Sequence, residues 1–330
     1  MKVDIVIPVY NKRNYVIECL ESVRRQTVQG INTIIVNDGS TDDSGKVIND
    51  YLKKYPYFKA TCYNKMNGGL GSARNYGLKY VESEYVFFLD PDDFLPVDAI
   101  EKLLDAARGM DIVVGRYQYL FDDNHIENQS ISSFDRFNCK YANTGDFYKY
   151  FFEEKYGINA CNKIYKTSFL QASGILFQDN HVIYAEDLLF NAKLMEFDPK
   201  IRVISEITYI YRQNDSSITH NYQKQMAKRF ANLVCDYFGE RKGKREMLPI
   251  IMVHALNCIG GQENKFKGVK QELTVFKAHT NFILSNINVK NVSQITTFSH
   301  RIDHIINLFL YKYSIFLLAV FQNLKNKFLR

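Results

Sequence analysis

The sequence predicts an α/β fold with a doubly wound, mostly parallel sheet and helices on both faces, followed by a smaller helical region. Three observations indicate this arrangement. Short apolar runs rich in β-branched residues alternate with helical patterns through the first 120 residues. The intervals between these runs are long enough for crossover helices, which parallel strands need. After about residue 221 strand patterns become rare, whereas helical patterns continue.

Five strands and four helices are predicted in the first 120 residues. The strand patterns cover residues 4–9, 32–37, 59–63, 85–89 and 111–119. Apolar side chains at helical spacing cover residues 14–26, 44–55, 71–81 and 96–107, the last with Pro96 at its start. Farther along, the patterns predict helices over residues 144–154 and 187–196 and a strand over 201–211. Ligands of such sheets bind beyond the carboxyl ends of the strands.

A change of composition near residues 215–222 divides the chain into a domain of residues 1–220 and a C-terminal region of residues 221–330. The domain contains 25 Lys and Arg against 30 Asp and Glu, a net charge of −5, whereas the C-terminal region contains 17 against 6, a net charge of +11. Helical patterns there cover residues 222–240, 247–260, 266–286 and 298–328. A basic surface suits phosphates or anionic lipid. Because no nucleic-acid-binding motif accompanies it, we expect no nucleic-acid partner.

The composition excludes several classes of protein. Hydrophobic residues make up 46% and charged residues 24% of the chain, which is typical of a globular protein and not of a disordered one. The six cysteines include no C-x-x-C pair, which argues against a disulfide scaffold or a zinc site and for a reducing compartment. We find no signal peptide and no run of about 18 uncharged apolar residues. The sequence therefore predicts a cytoplasmic protein, with peripheral contact to the inner face of the cell membrane as a further expectation.

Polar motifs follow the first two predicted strands at their carboxyl ends. Residues 8–11 (PVYN) follow the first strand, where Pro8 is expected to end the ladder and Tyr10 to offer a flat ring to a ligand. Residues 37–42 (NDGSTD) follow the second strand, where Asp38 can accept hydrogen bonds from a base N–H or from ribose hydroxyls. The alternatives are an ordinary turn for the first motif and a helix N-cap loop that leads into Ser44 for the second.

A glycine-rich motif, residues 67–77 (NGGLGSARNYG), begins the third helix. Glycine lets the backbone approach a ligand, and the N-terminus of a helix favours an anion. Arg74 adds a cation suited to phosphate. The motif is not the dinucleotide fingerprint, because the spacing from Gly69 is G-x-G-x-x-R and the motif follows the third strand instead of the first.

An acidic motif, residues 87–93 (FFLDPDD), follows the fourth strand and is the strongest signal in the chain. Its three carboxylates repel one another unless a cation is present. Hard oxygen ligands favour Mg²⁺ or Mn²⁺, and a diphosphate can complete the coordination shell. The alternative is a turn that leads into the helix at Pro96.

Two further motifs complete the set. Residues 185–190 (AEDLLF) enter a helix, where Asp187 can act as a general base towards an acceptor hydroxyl; the alternative is a helix start with favourable acids. Residues 211–219 (YRQNDSSIT) contain Arg212 and hydroxyl groups that can clamp a phosphate from a mobile loop. The alternative there is an ordinary connection between domains.

The order and positions of these motifs make residues 3–220 resemble family 2 glycosyltransferases with the GT-A fold, of the bacterial cell-surface polysaccharide or teichoic-acid type. The resemblance implies an inverting hexosyltransferase or N-acetylhexosaminyltransferase that uses a UDP-sugar and Mn²⁺ or Mg²⁺. It implies that Asp92 and Asp90 bind the metal and that Asp187 is the catalytic base. The residues that it places around the nucleotide sugar are Pro8, Tyr10, Asp38, Asn67, Arg74, Asp90, Arg212 and Ser217.

The chain departs from many members of this family because it contains no Trp, so the Q-x-x-R-W signature is missing. This speaks against a processive synthase, and we expect one sugar per encounter with a lipid-linked saccharide or an anionic polymer. Residues 301–330 combine an apolar helical stripe with basic residues. Three interpretations stay open: an interfacial helix on anionic lipid, a helix that packs in a homo-oligomer or against another domain, and a basic surface for a polyanionic acceptor such as a teichoic-acid polymer. The alternatives for the whole chain are a nucleotidyltransferase and a non-catalytic module that binds nucleotide sugars or polymers.

Overall fold

The computed structural model describes residues 1–121, 125–128, 159–178, 186–213 and 237. Apart from Tyr237, these residues belong to one compact unit. The domain boundary near residue 220, the helix predicted over 144–154 and the predicted C-terminal helices lie outside them. The two-part division, the contacts of the C-terminal region and the cytoplasmic location therefore stay predictions. Within the described ranges, no helix has the length and apolar character needed to cross a membrane.

Strands and helices alternate through the first 120 residues, as the sequence predicts. These elements are β1 (Val3–Val9), α1 (Val16–Arg24), β2 (Asn32–Asp38), α2 (Ser44–Lys54), β3 (Ala60–Lys65), α3 (Leu70–Leu78), β4 (Tyr85–Phe88), α4 (Ala99–Asp105) and β5 (Ile112–Leu120). The later elements are β6 (Ile126–Asn128), β7 (Lys163–Lys166), α5 (Thr167–Ser173), α6 (Glu186–Leu194), a 3₁₀ turn (Met195–Phe197) and β8 (Ile201–Arg212). The sequence patterns did not predict β6, β7 or α5.

The strands form one sheet in the order β3-β2-β1-β4-β7-β5-β6, and β8 pairs with β5. Strands β3, β2, β1 and β4 are parallel neighbours, and β8 runs parallel to β5. Strand β7 runs antiparallel between β4 and β5, and β6 is also antiparallel to β5. The prediction of a mostly parallel, doubly wound sheet is therefore confirmed, with a mixed half that begins at β7.

Helices cover both faces of the sheet, as strand β1 shows most clearly. All seven residues of β1 are buried. Ile5 and Ile7 belong to the same core as side chains of α1, α2 and α4. On the other face α3 packs so closely that a Cβ atom on Gly77 would lie 2.4 Å from a methyl carbon of Val6. With both faces of β1 buried, a ligand can approach this part of the sheet only at the ends of the strands.

The expectation that Pro8 ends the β1 ladder is wrong. Strand β1 continues to Val9, and Pro8 pairs with Val36 of β2. Pro8 lacks an N–H donor, but it is the last residue but one of the strand, so the ladder loses a single hydrogen bond close to its end.

Candidate active site

The carboxyl ends of β1, β2 and β4 bring three of the predicted motifs to one edge of the sheet. Strand β1 lies between the other two and runs parallel to both. The loops that follow are in contact, because Asn11 Oδ1 accepts a hydrogen bond from Thr41 N at 2.8 Å. Tyr10 lies at this edge with 45% of its surface exposed. Its ring is accessible to a ligand, and its role in binding stays a prediction.

Asp38, at the end of β2, organises the glycine-rich turn ahead of α3. Its buried carboxylate accepts hydrogen bonds from Gly68 N at 3.1 and 3.2 Å and from Gly69 N at 2.8 Å. It also forms an ion pair with Lys65 and accepts from Asn67 Nδ2 at 3.3 Å. The backbone N–H groups that we expected to face a phosphate thus face this carboxylate. A carboxylate has about four lone-pair sites, and these four donors occupy them. The N–H of a nucleotide base can therefore bind Asp38 only by displacing one of the donors.

Arg74 of α3 joins three carboxyl groups from two distant parts of the chain. Nη2 donates to Asp90 Oδ1 at 2.8 Å, Nη1 donates to Glu186 Oε1 at 3.2 Å, and Nη1 also pairs with Asp187 Oδ1. The side chain is 1% exposed, and its guanidinium lies 5.2 Å from the centroid of the Phe177 ring. We expected Arg74 beside the nucleotide, but here its partners are protein carboxylates. One guanidinium therefore links the loop after β4 to the start of α6.

The cluster around Arg74 contains one cation and three carboxyl groups, so one carboxyl group is expected to remain protonated near neutral pH. Burial raises the pKa of Glu186 to about 8; the negative charge of Asp187 also raises it, and Arg74 opposes the shift. Burial raises the pKa of Asp90 as well, against the lowering effect of Arg74. A protonated Glu186 leaves the positive charge of Arg74 to Asp90 and Asp187.

Replacing Glu186 by Gln should remove a pH-dependent contribution to stability. An acid with a raised pKa in the folded protein stabilises the fold fully below its unfolded pKa, and the contribution is lost as the pH rises through the folded value. For Glu186 this window runs from its ordinary value of 4.5 to about 8. Since Gln stays neutral, the free energy of unfolding of E186Q relative to wild type should increase across the window, by at most ~1.4 kcal/mol per pH unit.

Urea unfolding at about pH 5 and about pH 8 measures this difference. The exposed Glu84 provides the control variant, Glu84→Gln, which should show no comparable trend. A difference between E186Q and wild type that stays constant over the window would contradict the raised pKa.

Asp187 lies in the first turn of α6, and both of its carboxylate oxygens are held. Arg74 contacts Oδ1, and the backbone N–H of Ala160 donates to Oδ2 at 2.9 Å. Ala160 belongs to a buried turn ahead of β7, where the Lys163 ammonium donates to Cys161 O at 3.1 Å. Burial lowers the pKa of Lys163 to about 8. The Asp187 side chain is nevertheless 18% exposed, so a substrate hydroxyl can approach it.

Asp90 and Asp92, the predicted metal ligands, each have one oxygen in an ion pair. Arg74 holds Asp90 Oδ1, and Lys12 Nζ lies 2.5 Å from Asp92 Oδ2. Within the described residues, Asp90 Oδ2 and Asp92 Oδ1 have no hydrogen bond. The two side chains are 21% and 19% exposed, so these oxygens are accessible.

These two oxygens determine how well a divalent ion would fit. Mg²⁺ and Mn²⁺ accept one or two carboxylates together with water and substrate phosphate. In the part of the chain that the structure describes, no group of three or more His, Cys, Asp or Glu is placed to hold a metal. The residues therefore fit a divalent ion as a two-carboxylate site that a phosphate ligand completes.

Asp93, the third carboxylate of the acidic motif, anchors the loop from within the protein. It accepts hydrogen bonds from Tyr209 OH at 2.5 Å and from Arg212 N at 2.8 Å, both in β8. Tyr209 OH in turn accepts from Asp90 N at 3.3 Å. Burial raises the pKa of Asp93, and the charges of Asp92 and Asp90 raise it further. Asp93 therefore ties the acidic loop to β8 and is no candidate metal ligand.

Arg212 is the last residue of β8 and not part of a mobile loop, contrary to our expectation. Its Nε donates to Asp92 O at 3.2 Å, and its guanidinium pairs with Glu18 of α1. The guanidinium also lies 5.5 Å from the centroids of the Tyr15 and Phe94 rings. Arg212 is thus held beside the acidic loop, and its contact with a leaving group stays a prediction. Residue 217, the predicted Ser contact, lies outside the described residues.

Several residues of this site were missed by the analysis of the sequence. Lys12 and Lys65 pair with Asp92 and Asp38, which are 80 and 27 positions away. Lys12 directly follows the PVYN motif, and this position is the one signal that points to it. Tyr209 lies within a predicted strand, and nothing local distinguishes it from a core residue.

A known protein family and several known proteins are similar to this chain. The family model named glycosyl transferase family 2 matches residues 4–171. The putative glycosyltransferase EpsH of Bacillus subtilis is 31% identical over 226 residues, which are 68% of this chain and 64% of EpsH. The teichoic acid poly(glycerol phosphate) polymerase of Staphylococcus epidermidis is 31% identical over 211 residues, 64% of this chain and 28% of the polymerase. The matched region thus makes up less than two thirds of either relative.

Among solved structures, the crystal structure of S. aureus TarS 1–349 in complex with UDP-GlcNAc is similar. The TM-score is 0.67 at 21% sequence identity, and the match covers 89% of this chain and 84% of the TarS chain. At this level of identity the likeness concerns the fold alone. The predicted GT-A fold is thereby confirmed.

Proposed function

Because this chain belongs to glycosyl transferase family 2, we propose that it transfers one sugar from a UDP-sugar to a hydroxyl group of a saccharide or polyol acceptor in the assembly of a surface polysaccharide or teichoic acid. The sugar would be a hexose or an N-acetylhexosamine. The acceptor would be a lipid-linked saccharide or an anionic polymer.

One observation carries this proposal: Arg74 holds Asp90 and Asp187 on the same guanidinium. Asp90 belongs to the acidic loop that we propose for the donor diphosphate. Asp187, which we propose as the base, follows it by almost a hundred residues. A transferase needs both groups within about the length of one sugar, because the hydroxyl that the base deprotonates must attack the carbon that carries the diphosphate. The Arg74 contacts meet this requirement.

The proposed reaction is a single displacement. Asp187 accepts the proton of the acceptor hydroxyl, and the hydroxyl oxygen forms a bond to the anomeric carbon of the sugar. The bond between that carbon and the diphosphate oxygen breaks, and its electron pair leaves with UDP. Since attack comes from the face opposite the leaving group, the anomeric configuration inverts. Asp187 is suited to this role because Arg74 and Ala160 N orient it while part of its side chain remains exposed.

Asp92 and Asp90 would hold Mn²⁺ or Mg²⁺, and Arg212 would lie close to the leaving diphosphate. A divalent ion at this site would supply positive charge against which the charge of the leaving group develops. Arg212 Nε already donates to Asp92 O, so its guanidinium is next to the acidic loop.

The names of the relatives support the choice of donor and acceptor. TarS was crystallised with UDP-GlcNAc, and the S. epidermidis relative is named for a poly(glycerol phosphate) polymer. Both names are consistent with a UDP-linked donor and a polyol phosphate acceptor for this chain.

The test of the proposal is a product assay with the full chain. UDP-glucose, UDP-galactose and their N-acetyl forms would each be incubated with poly(glycerol phosphate), poly(ribitol phosphate) or oligosaccharides, in Mn²⁺ and in EDTA. We expect metal-dependent release of UDP from one donor and an equal gain of sugar on one acceptor. Release of pyrophosphate would indicate a nucleotidyltransferase. UDP-sugar binding without any product on this panel would favour a binding module and contradict the proposal.

Replacing Asp92 by Asn should weaken UDP binding in Mn²⁺ by about tenfold or more, which corresponds to ~1.4 kcal/mol. The amide carries no charge and is a poorer ligand for a hard cation. In EDTA the same variant should bind UDP about as well as wild type does. Calorimetric titration with UDP measures both affinities.

The control for this prediction is Asp50→Asn, on the exposed side of α2. It removes one negative charge at a distance from the site and should leave UDP binding unchanged. Equal UDP affinity of D92N and wild type in Mn²⁺ would contradict the role of Asp92 as a metal ligand.

A further inference from the structure

Lys12 is fixed through its backbone but only loosely through its side chain. Its N–H donates to Ser44 Oγ at 2.8 Å, and its carbonyl oxygen accepts from Tyr15 N and Val16 N at 3.0 Å each. Within the described residues, the only hydrogen bond of its ammonium group goes to Asp92 Oδ2, at 2.5 Å. The side chain is 16% exposed. The ammonium can therefore move over the reach of one lysine side chain while the turn stays in place.

The two cations that form ion pairs with Asp90 and Asp92, Arg74 and Lys12, differ in how firmly they are held. Arg74 is 1% exposed and has three carboxyl partners, so its release would leave the partly buried Asp90 and Asp187 without their shared cation. Lys12 has one carboxylate partner, which is itself 19% exposed, and its ammonium lies 5.9 Å from the centroid of the Tyr15 ring. An ammonium group is a compact, well-hydrated charge on a flexible stem, and it exchanges partners more readily than a buried guanidinium does. Lys12 is thus the exchangeable cation of this pair.

The partner of Lys12 is the carboxylate to which we assign the metal. An ammonium on Oδ2 and a divalent ion on the same carboxylate would repel each other. A diphosphate that completes the metal shell would at the same time bring negative oxygens next to the displaced ammonium. Binding of the metal would thus release Lys12 from Asp92, and the phosphate would provide a new partner for the released ammonium.

We propose that Lys12 is a mobile counter-ion of the donor site, which neutralises Asp92 in the free enzyme and moves to the diphosphate when metal and UDP-sugar bind. The inference rests on the proposed function and adds a residue that binds the donor. Lys12 would oppose the binding of metal alone and favour the binding of metal together with nucleotide. In this way it would couple the two binding events.

The test compares Lys12→Met with wild type in two binding measurements. Electron paramagnetic resonance of free Mn²⁺ gives the affinity for the metal without nucleotide, and calorimetry at saturating Mn²⁺ gives the affinity for UDP. We expect K12M to bind Mn²⁺ alone about threefold to tenfold more tightly and UDP about tenfold more weakly, within the usual range of coupling between sites. Lys12→Arg retains the charge and should stay closer to wild type in both measurements.

Arg13→Met is the matched control. Arg13 is the next residue of the same turn, its side chain is 56% exposed, and its guanidinium lies 3.5 Å from Asp43. R13M removes an equal charge from the turn without touching Asp92 and should leave both affinities unchanged. A misfolded K12M variant would lose both ligands, so a gain in Mn²⁺ affinity together with a loss of UDP affinity excludes that explanation.

The outcomes separate this inference from the proposed function. Opposite shifts of the two affinities in K12M, with R13M unchanged, support the role of Lys12. Unchanged affinities in K12M, or shifts of both affinities in the same direction, overturn the role of Lys12. The proposed function is not affected by that result as long as wild type binds UDP. If wild type binds no UDP with Mn²⁺ or with Mg²⁺, the proposed function fails, and the role of Lys12 fails with it.

Discussion

Replacing Asp187 by Asn should lower the rate of sugar transfer by about 10²–10⁴-fold, the usual contribution of a general base. The amide is nearly the same size as the carboxylate but cannot take the proton of the acceptor hydroxyl. UDP binding should stay close to wild type, because the amide oxygen of Asn can still accept from Arg74, which also holds Asp90 of the acidic loop. The expected result is therefore a low kcat with a nearly unchanged KM for the donor.

The neighbouring Glu186 provides the sharpest control for this prediction. Burial keeps the pKa of Glu186 at about 8, so the group is largely protonated at neutral pH and cannot serve as the base there. Glu186→Gln should consequently retain most of the transfer activity near pH 7. Full activity of D187N combined with an inactive E186Q would exchange the two roles and contradict the proposed mechanism. Asp105→Asn, at an exposed position of α4, controls for the loss of one negative charge.

Replacing Arg74 by Met should cause the largest loss of stability. The variant leaves the carboxyl groups of Asp90, Glu186 and Asp187 without their shared cation in a site that is mostly buried. Breaking a buried ion pair from one side costs about 3–5 kcal/mol. We expect a decrease of this size in the free energy of unfolding, measured with urea, and the loss of transfer activity, because the acidic loop and α6 are no longer held together.

The pH dependence of the R74M variant distinguishes this cause from a simple packing defect. Protonation removes the unpaired charges, so the loss of stability should become smaller as the pH falls from about 8 to about 5. A packing defect would cost the same at both values. Arg74→Lys keeps one charge without the planar fork and should fall between R74M and wild type.

Lys102→Met serves as the control for an exposed ion pair. Lys102 Nζ lies 2.8 Å from Asp98 Oδ2, and the two side chains are 35% and 39% exposed. Exposed pairs contribute about 0–1 kcal/mol, so this variant should unfold almost like wild type. If R74M also remained within about 1 kcal/mol of wild type, the three carboxyl groups would not depend on Arg74 for their burial.

The sequence predicts the first five strands and four helices because their signals are local. A run of β-branched residues or a helical spacing of apolar side chains is visible within a window of about a dozen residues. Strand β7 has only four residues, and it joins β4 and β5 because of pairings with residues far away in the chain. No local pattern contains that information. The helix α4 begins at Ala99 and not at Pro96, a difference of the size that helix boundaries usually show.

The candidate site divides in the same way. The acidic motif after β4 and Asp187 at the start of α6 were found because carboxylates at the end of a strand or the start of a helix form recognisable patterns. The assignments of Asp38 and Arg74 to the nucleotide also rested on local patterns, a carboxylate after a strand for Asp38 and a glycine-rich helix start for Arg74. In the folded chain both residues have protein partners, Lys65 and the glycine turn for Asp38 and three carboxyl groups for Arg74.

The amino-acid sequence by itself determined the fold class, the family and the set of carboxylates to which we assign the chemistry, since each of these is encoded in the types and spacing of nearby residues. Only the tertiary structure decided which cation neutralises which carboxylate: Arg74 for Asp90 and Asp187, and Lys12 for Asp92. The physical reason is that the energy of a charge pair depends on distance and burial in three dimensions, and separation along the chain specifies neither.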